Sequence, residues 1–224
     1  MSPLPERRRL IAAALAAAAA LAGGGTARAQ NIPGAAARVN GAEISNHRLE
    51  RHFDEYVKAQ RRNITAMINP RVYKKYKREA LDQLIERELL WQAAKADGAV
   101  APDDEVQAAL AEMQAQLGSR EAYLRRLEQS GFDERGYTEY VRQALSGARL
   151  LNRRVPAAPE VADEEIAAFY RSNLHRFGAP PRPLEEARDP IRARLAADKR
   201  AAQAREVVAA LKAAARIELL VQLD

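Results

Sequence analysis

The sequence predicts an all-α protein, mainly helical, closed by a small β-sheet. Three observations lead there. Apolar residues recur every three or four positions through most of the chain, as a helix with one buried face requires. Prolines, glycines and acid clusters punctuate those stretches where helices start and stop. Only two short segments, near residues 37–44 and 217–221, carry strand character.

Residues 1–29 read as a signal peptide. Arg7, Arg8 and Arg9 supply the positive start, and Leu10–Ala22 is an unbroken apolar run of 13 residues. A bilayer core needs roughly 20 residues, so no stable membrane insertion is expected. Gly23-Gly24-Gly25 ends the run, and Ala27-Arg28-Ala29 fits cleavage between Ala29 and Gln30. The flanks of a twin-arginine motif are missing, which favours ordinary secretion. Four arginines and one glutamate leave with the segment, taking the formal charge from +6 to +3.

Residues 30–37 lack periodicity and are expected to form a flexible tail. Asn40-Gly41 lies between the short arms Ala37–Val39 and Ala42–Ile44. Both residues tolerate positive φ, so a hairpin is expected. Ser45 can cap a helix whose Leu49, Phe53, Tyr56 and Val57 share one face. After Pro70 a long helix runs from Val72 to Ala96, with Leu81, Leu84, Ile85 and Leu89 inward, joined by Trp91 or Gln92, and Gly98 closes it.

Pro102 and the acids Asp103, Asp104 and Glu105 open the next helix, which carries Val106, Leu110, Met113 and Leu117 and stops at Gly118. Ser119 caps a short helix bearing Tyr123, Leu124 and Leu127, ended by Ser130-Gly131. Asp133 starts another, with Tyr137, Tyr140, Val141, Ala144, Leu145, Ala148 and Leu151 as its stripe.

Pro156–Pro159 is a linker before a helix that opens on Asp163-Glu164-Glu165 and carries Ile166, Phe169, Tyr170 and Leu174. Residues 178–183 hold three prolines and break the chain. The last helix is expected to start at Asp189-Pro190 and to reach about Ala215. Ile217–Val221 then forms a strand that is unstable alone, so it is expected to pair with the Val39 hairpin. Residues 38–155 would form a helical core, and 156–224 would complete the same domain.

No Cys is present, which removes disulfides, thiolate metal sites and a cysteine nucleophile. His47 and His52 are five positions apart, off the spacing of a helical metal pair, and His175 is distant, so no metal site is expected. There is no phosphate-binding glycine loop and no nucleophile elbow. No cofactor and no catalysis are expected. Arg61 and Arg62 with Lys74, Lys75, Lys77 and Arg78 make residues 58–78 basic, with Tyr73 and Tyr76 interleaved. Such a surface suits a solvated face, or capture of acidic client segments or an anionic membrane. Export argues against nucleic acid as its partner, and Glu79, Asp82 and Glu86 partly balance it.

The order of motifs resembles a known family. Val39-Asn40-Gly41-Ala42-Glu43-Ile44 is followed by Leu81–Leu90, by Val100–Val106, by Tyr123–Leu127 with Gly131-Phe132, and by Asp163–Ile166, Phe169-Tyr170 and Phe177. This series is similar to the N-terminal chaperone domain of the SurA, PrsA and PpiD group of exported foldases, and Ile191–Ile217 is similar to their return helix and strand. In that group a parvulin isomerase domain usually follows the equivalent of Phe177. Here residues 178–183 separate the two flanking helices, and a domain needs about 50 residues or more.

The resemblance implies a periplasmic chaperone of a Gram-negative bacterium, working without ATP and without isomerase activity. Its partners would be unfolded exported or outer-membrane polypeptides. Ile64, Met67, Ile68, Tyr73, Tyr76 and Trp91 are the candidate client-binding residues. A homodimer made by exchanging hairpin and tail between two copies is compatible with this topology. An envelope adaptor binding one dedicated partner is the alternative, with a residual peptidyl-prolyl isomerase the further one.

Overall fold

The computed structural model describes residues 34–59, 69–178 and 180–223. The expected signal peptide and its cleavage site at Ala29 and Gln30 lie outside them, as do Ile64, Met67 and Ile68. Seven α-helices and a three-stranded sheet make up the described residues. They fall into two compact units, one of residues up to Leu150 together with Leu211 onward, the other of Leu151–Ala210.

In the first unit the hairpin forms as the Asn-Gly pair requires. β1 (Ala35–Val39) and β2 (Ala42–Ser45) are antiparallel with Val39 opposite Ala42. Asn40 has φ +50° and Gly41 φ +86°, the pair of positive values that a two-residue hairpin turn needs. β3 (Ile217–Leu219) adds to the other edge of β1, also antiparallel, giving the order β2-β1-β3. The strand begins earlier than expected: Ala35 and Ala36, expected in the tail, belong to β1. Ala36 and Ala37 are both fully buried, and a register shift between Ala35 and Ala37 lets these small residues sit in succession under the helices.

α1 (Asn46–Ala59) starts where the Ser45 hydroxyl accepts from the Arg48 N–H at 3.1 Å. α2 (Pro70–Ala96) starts two residues before the expected Val72, because the Asn69 side chain accepts from Arg71 N–H and Pro70 occupies the first helical position. The inward faces of α1 and α2, with Leu49, Phe53, Ala80, Leu81, Leu84, Ile85 and Leu89, pack with the sheet into one core. Leu211, Ala215, Ile217, Val221 and Leu223 from the chain end pack against that same core.

α3 (Asp103–Leu117), α4 (Arg120–Gln129) and the first part of α5 (Glu134–Arg154) build a second core around Val106, Met113, Tyr123, Leu127, Tyr137 and Val141. Leu124 departs from its expected inward position and is 40% exposed, because Tyr123 and Leu127 already define the buried face of so short a helix. α5 approaches α2 at Gly147, where an added Cβ would stand 3.3 Å from the Leu90 Cβ. Ser146 beside it is fully buried and satisfied: its hydroxyl donates to the Arg142 carbonyl and accepts from the Ala101 N–H.

The second unit has its own core of Ile166, Ala187 and Ile191, flanked by Phe169, Tyr170, Phe177, Leu184 and Leu195. α6 (Asp163–Ser172) is opened by three acids, and Asp163 is held by Arg188 and Arg192. Leu174 lies in a short 3₁₀ turn and is 41% exposed instead of inward. α7 (Leu184–Ala214) begins five residues before the expected Asp189, so Pro190 stands inside it. Burial of Ala187 and packing of Leu184 draw the preceding turn into helix, and the Pro183 carbonyl accepts from the Glu186 and Ala187 N–H groups.

Candidate functional site

α2 carries three of the six expected client-binding residues, and it treats them differently. Tyr76 is 8% exposed and lies in the core beside the Tyr56 ring, so packing accounts for it. Tyr73 and Trp91 are half-buried. They stand 18 residues apart, five full turns, which puts them on one face about 27 Å apart. They do not touch. Each ring carries the lysine one turn further along: the Lys77 ammonium lies 5.2 Å from the Tyr73 ring centre and that of Lys95 5.0 Å from Trp91.

The Tyr73 end is the more tightly tied. Its ring meets Phe53 edge-on at 5.1 Å, and Lys77 donates to the Tyr73 hydroxyl and to Glu50. Burial pulls the Lys77 ammonium down, but the hydrogen bonds to Glu50 and Tyr73 outweigh it and hold its pKa above the usual lysine value. Near the other end, Gln92 rather than Trp91 turns inward. Its amide donates to the Val39 carbonyl and to Glu88, and it accepts from the Asn40 amide at 2.9 Å. The Asn40 oxygen in turn accepts from Arg216 N–H, so one side chain joins the hairpin, α2 and the chain end.

A second group was not singled out from the sequence. Arg48, Arg51, His52 and Glu55 follow one another at helical spacing on α1, and Arg87 of α2 and Tyr140 and Gln143 of α5 meet them. The Arg51 guanidinium stacks on Phe132 at 3.8 Å and donates to the Gly131 carbonyl. That of Arg87 stacks on Tyr140 at 4.0 Å and donates to its hydroxyl. His52 Nε2 pairs with Gln83 Oε1 at 3.0 Å. Burial, then the charge of Arg87, pushes the His52 imidazole down to about 4. Burial also raises Glu55, against a hydrogen bond from Ser130 and the attraction of Arg126. The available signal was the 48, 51, 52, 55 stripe, polar where a buried face is normally apolar.

Among the described residues no group of three or more His, Asp or Glu converges as a metal site would require, and no helix is long and apolar enough to cross a membrane.

Comparison with known proteins bears on the fold. No curated protein matches the chain. A solved structure from work on the virulence factor PEB4 and the periplasmic protein Cj1289, two structurally related SurA-like chaperones of the human pathogen Campylobacter jejuni, does match. It superposes with a TM-score of 0.55 at 13% identity, over 85% of this chain and 100% of that chain. At that identity the likeness is one of fold. The family profile described as the SurA-like N-terminal domain matches residues 8–151, well over half of the sequence. The chain belongs to the SurA-like N-terminal domain family.

Proposed function

We propose that this protein is an ATP-independent chaperone of the bacterial periplasm that holds unfolded, apolar segments of exported or outer-membrane polypeptides. The single observation that carries the proposal is the family domain itself, spanning residues 8–151. Residues 178–183, between the 3₁₀ turn and α7, leave no space for an inserted isomerase domain, so holding rather than catalysis is the proposed activity. Tyr73 and Trp91 offer half-buried rings on one helix face, and Ile64, Met67 and Ile68 precede that helix in the chain. Aromatic and methionine side chains accept varied apolar partners with little penalty for shape. Export would follow cleavage after Ala29, which N-terminal sequencing of the secreted protein checks directly.

The deciding experiment is light scattering from an aggregating client. Suppression at stoichiometric chaperone, weakened by Tyr73→Ala with Trp91→Ala, is expected. Undiminished aggregation would sink the proposal. A proline-limited refolding assay should show no acceleration.

A further inference from the structure

We infer that Arg48, Arg51 and Arg87 form a carboxylate-binding site in the first unit, taking an acidic side chain or the free C-terminus of a bound polypeptide. The inference rests on the peptide-binding activity proposed above. Phe132 and Tyr140 hold the site together: their rings are 5.1 Å apart, and one carries Arg51 while the other carries Arg87. Arg48 joins one turn along α5 from Tyr140, donating to Gln143 at 3.3 Å.

Among the described residues all three guanidiniums donate to neutral acceptors, the Gln143 amide, the Gly131 carbonyl and the Tyr140 hydroxyl. Among the described residues none of them forms an ion pair, whereas most other arginines of the two units that contact a side chain meet an acid. The nearby acids attract the cluster without hydrogen-bonding to it: Glu55 acts on Arg51 and Arg87 while accepting from Ser130, and Glu88 acts on Arg48 while accepting from Gln92. One Arg87 nitrogen, Nη1, is shielded from solvent and has no acceptor among the described residues. Leaving a charged donor unpaired out of water is costly, and a carboxylate held by the partly exposed Arg48 and Arg51 beside it offsets that buried charge. Stacking covers one face of the Arg51 and Arg87 guanidiniums and leaves in-plane N–H edges, which match a planar two-oxygen acceptor.

The test uses the full exported chain and three unstructured nonapeptides of Gly, Ser and Phe: one with a free C-terminal carboxylate, one amidated, and one amidated with a central Glu. Calorimetry at low salt should find the free acid or the Glu peptide bound about tenfold tighter than the neutral amide. Which of the two is tighter identifies the source of the carboxylate. Arg48→Gln and Arg51→Gln should each reduce the difference to about twofold or less, while Arg125→Gln, an exposed arginine on α4, keeps it. His52 supplies an independent readout, since its NMR titration should move up by about one pH unit when the carboxylate is bound. Equal affinity for all three peptides on the unaltered chain would overturn the site and leave the chaperone proposal standing. No binding of any peptide would overturn both. Sedimentation with phosphatidylglycerol vesicles that needs Arg48 and Arg51, without peptide discrimination, would overturn it in favour of a membrane surface.

Discussion

Protonating His52 would place a further positive charge beside Arg48, Arg51 and Arg87. Its folded pKa of about 4 lies below the 6.5 of an unperturbed histidine, so between those values the unfolded chain binds more protons. Stability therefore falls as the pH drops through that window, by roughly 2–3 kcal/mol at pH 4.5. Urea unfolding at pH 7 and pH 4.5 should show a smaller loss in His52→Gln than in the unaltered chain, and equal losses would disprove the role. Asn40 is the other residue with disproportionate effect. Asn40→Gly keeps the turn but loses the bonds to Gln92 and Arg216, costing about 1–2 kcal/mol; Asn40→Ala also loses the tolerance for φ +50° and should cost about 1 kcal/mol more. The two midpoints, compared by thermal unfolding, separate backbone strain from side-chain bonding.

Whether an element could be read in advance depended on how local its causes are. The Asn40-Gly41 turn, the Ser45 and Ser119 caps and the left-handed Gly98 and Gly118 follow from residues within a few positions, and all five stand where expected. The start of α7 does not follow so: Asp189-Pro190 is a good local start signal, overridden by burial of Ala187 with Ile166 and Ile191. The same holds for Gly147 and Ser146, whose reasons are Leu90 and Ala101, 57 and 45 positions away. The arginine site was hidden similarly, since Arg87 meets Tyr140 only after three helices have packed. The aromatic candidates split by the same rule, Tyr76 being claimed by a core that its helical phase alone did not assign to it. Pro190 still lacks the N–H that would bond Glu186, and its ring crowds that carbonyl. Pro190→Ala should therefore stabilise the second unit by about 1–3 kcal/mol, and an unchanged or lower melting temperature would contradict this.

For the molecule as a whole, the first unit is assembled from both ends of the described chain. Leu211, Ala215, Ile217, Val221 and Leu223 pack on a core otherwise drawn from residues before Leu90. Ending the chain after Ala215 removes β3 and three of those apolar contacts, at a cost of roughly 3–5 kcal/mol. Hydrogen exchange at residues 35–39 should then accelerate strongly, and unchanged protection there would show that β1 is stable with β2 alone.

The position of β3 also sets an order of events. Ile217 pairs with Val39 across 178 positions of chain, a closure costing roughly 4–5 kcal/mol in entropy before any contact repays it. A chain delivered from its N-terminus would present the hairpin long before β3 arrives, with one edge of β1 bare for the interval. β3 thus acts as a completion signal: until it emerges, the hairpin is itself an open strand edge of the kind that invites pairing with another chain.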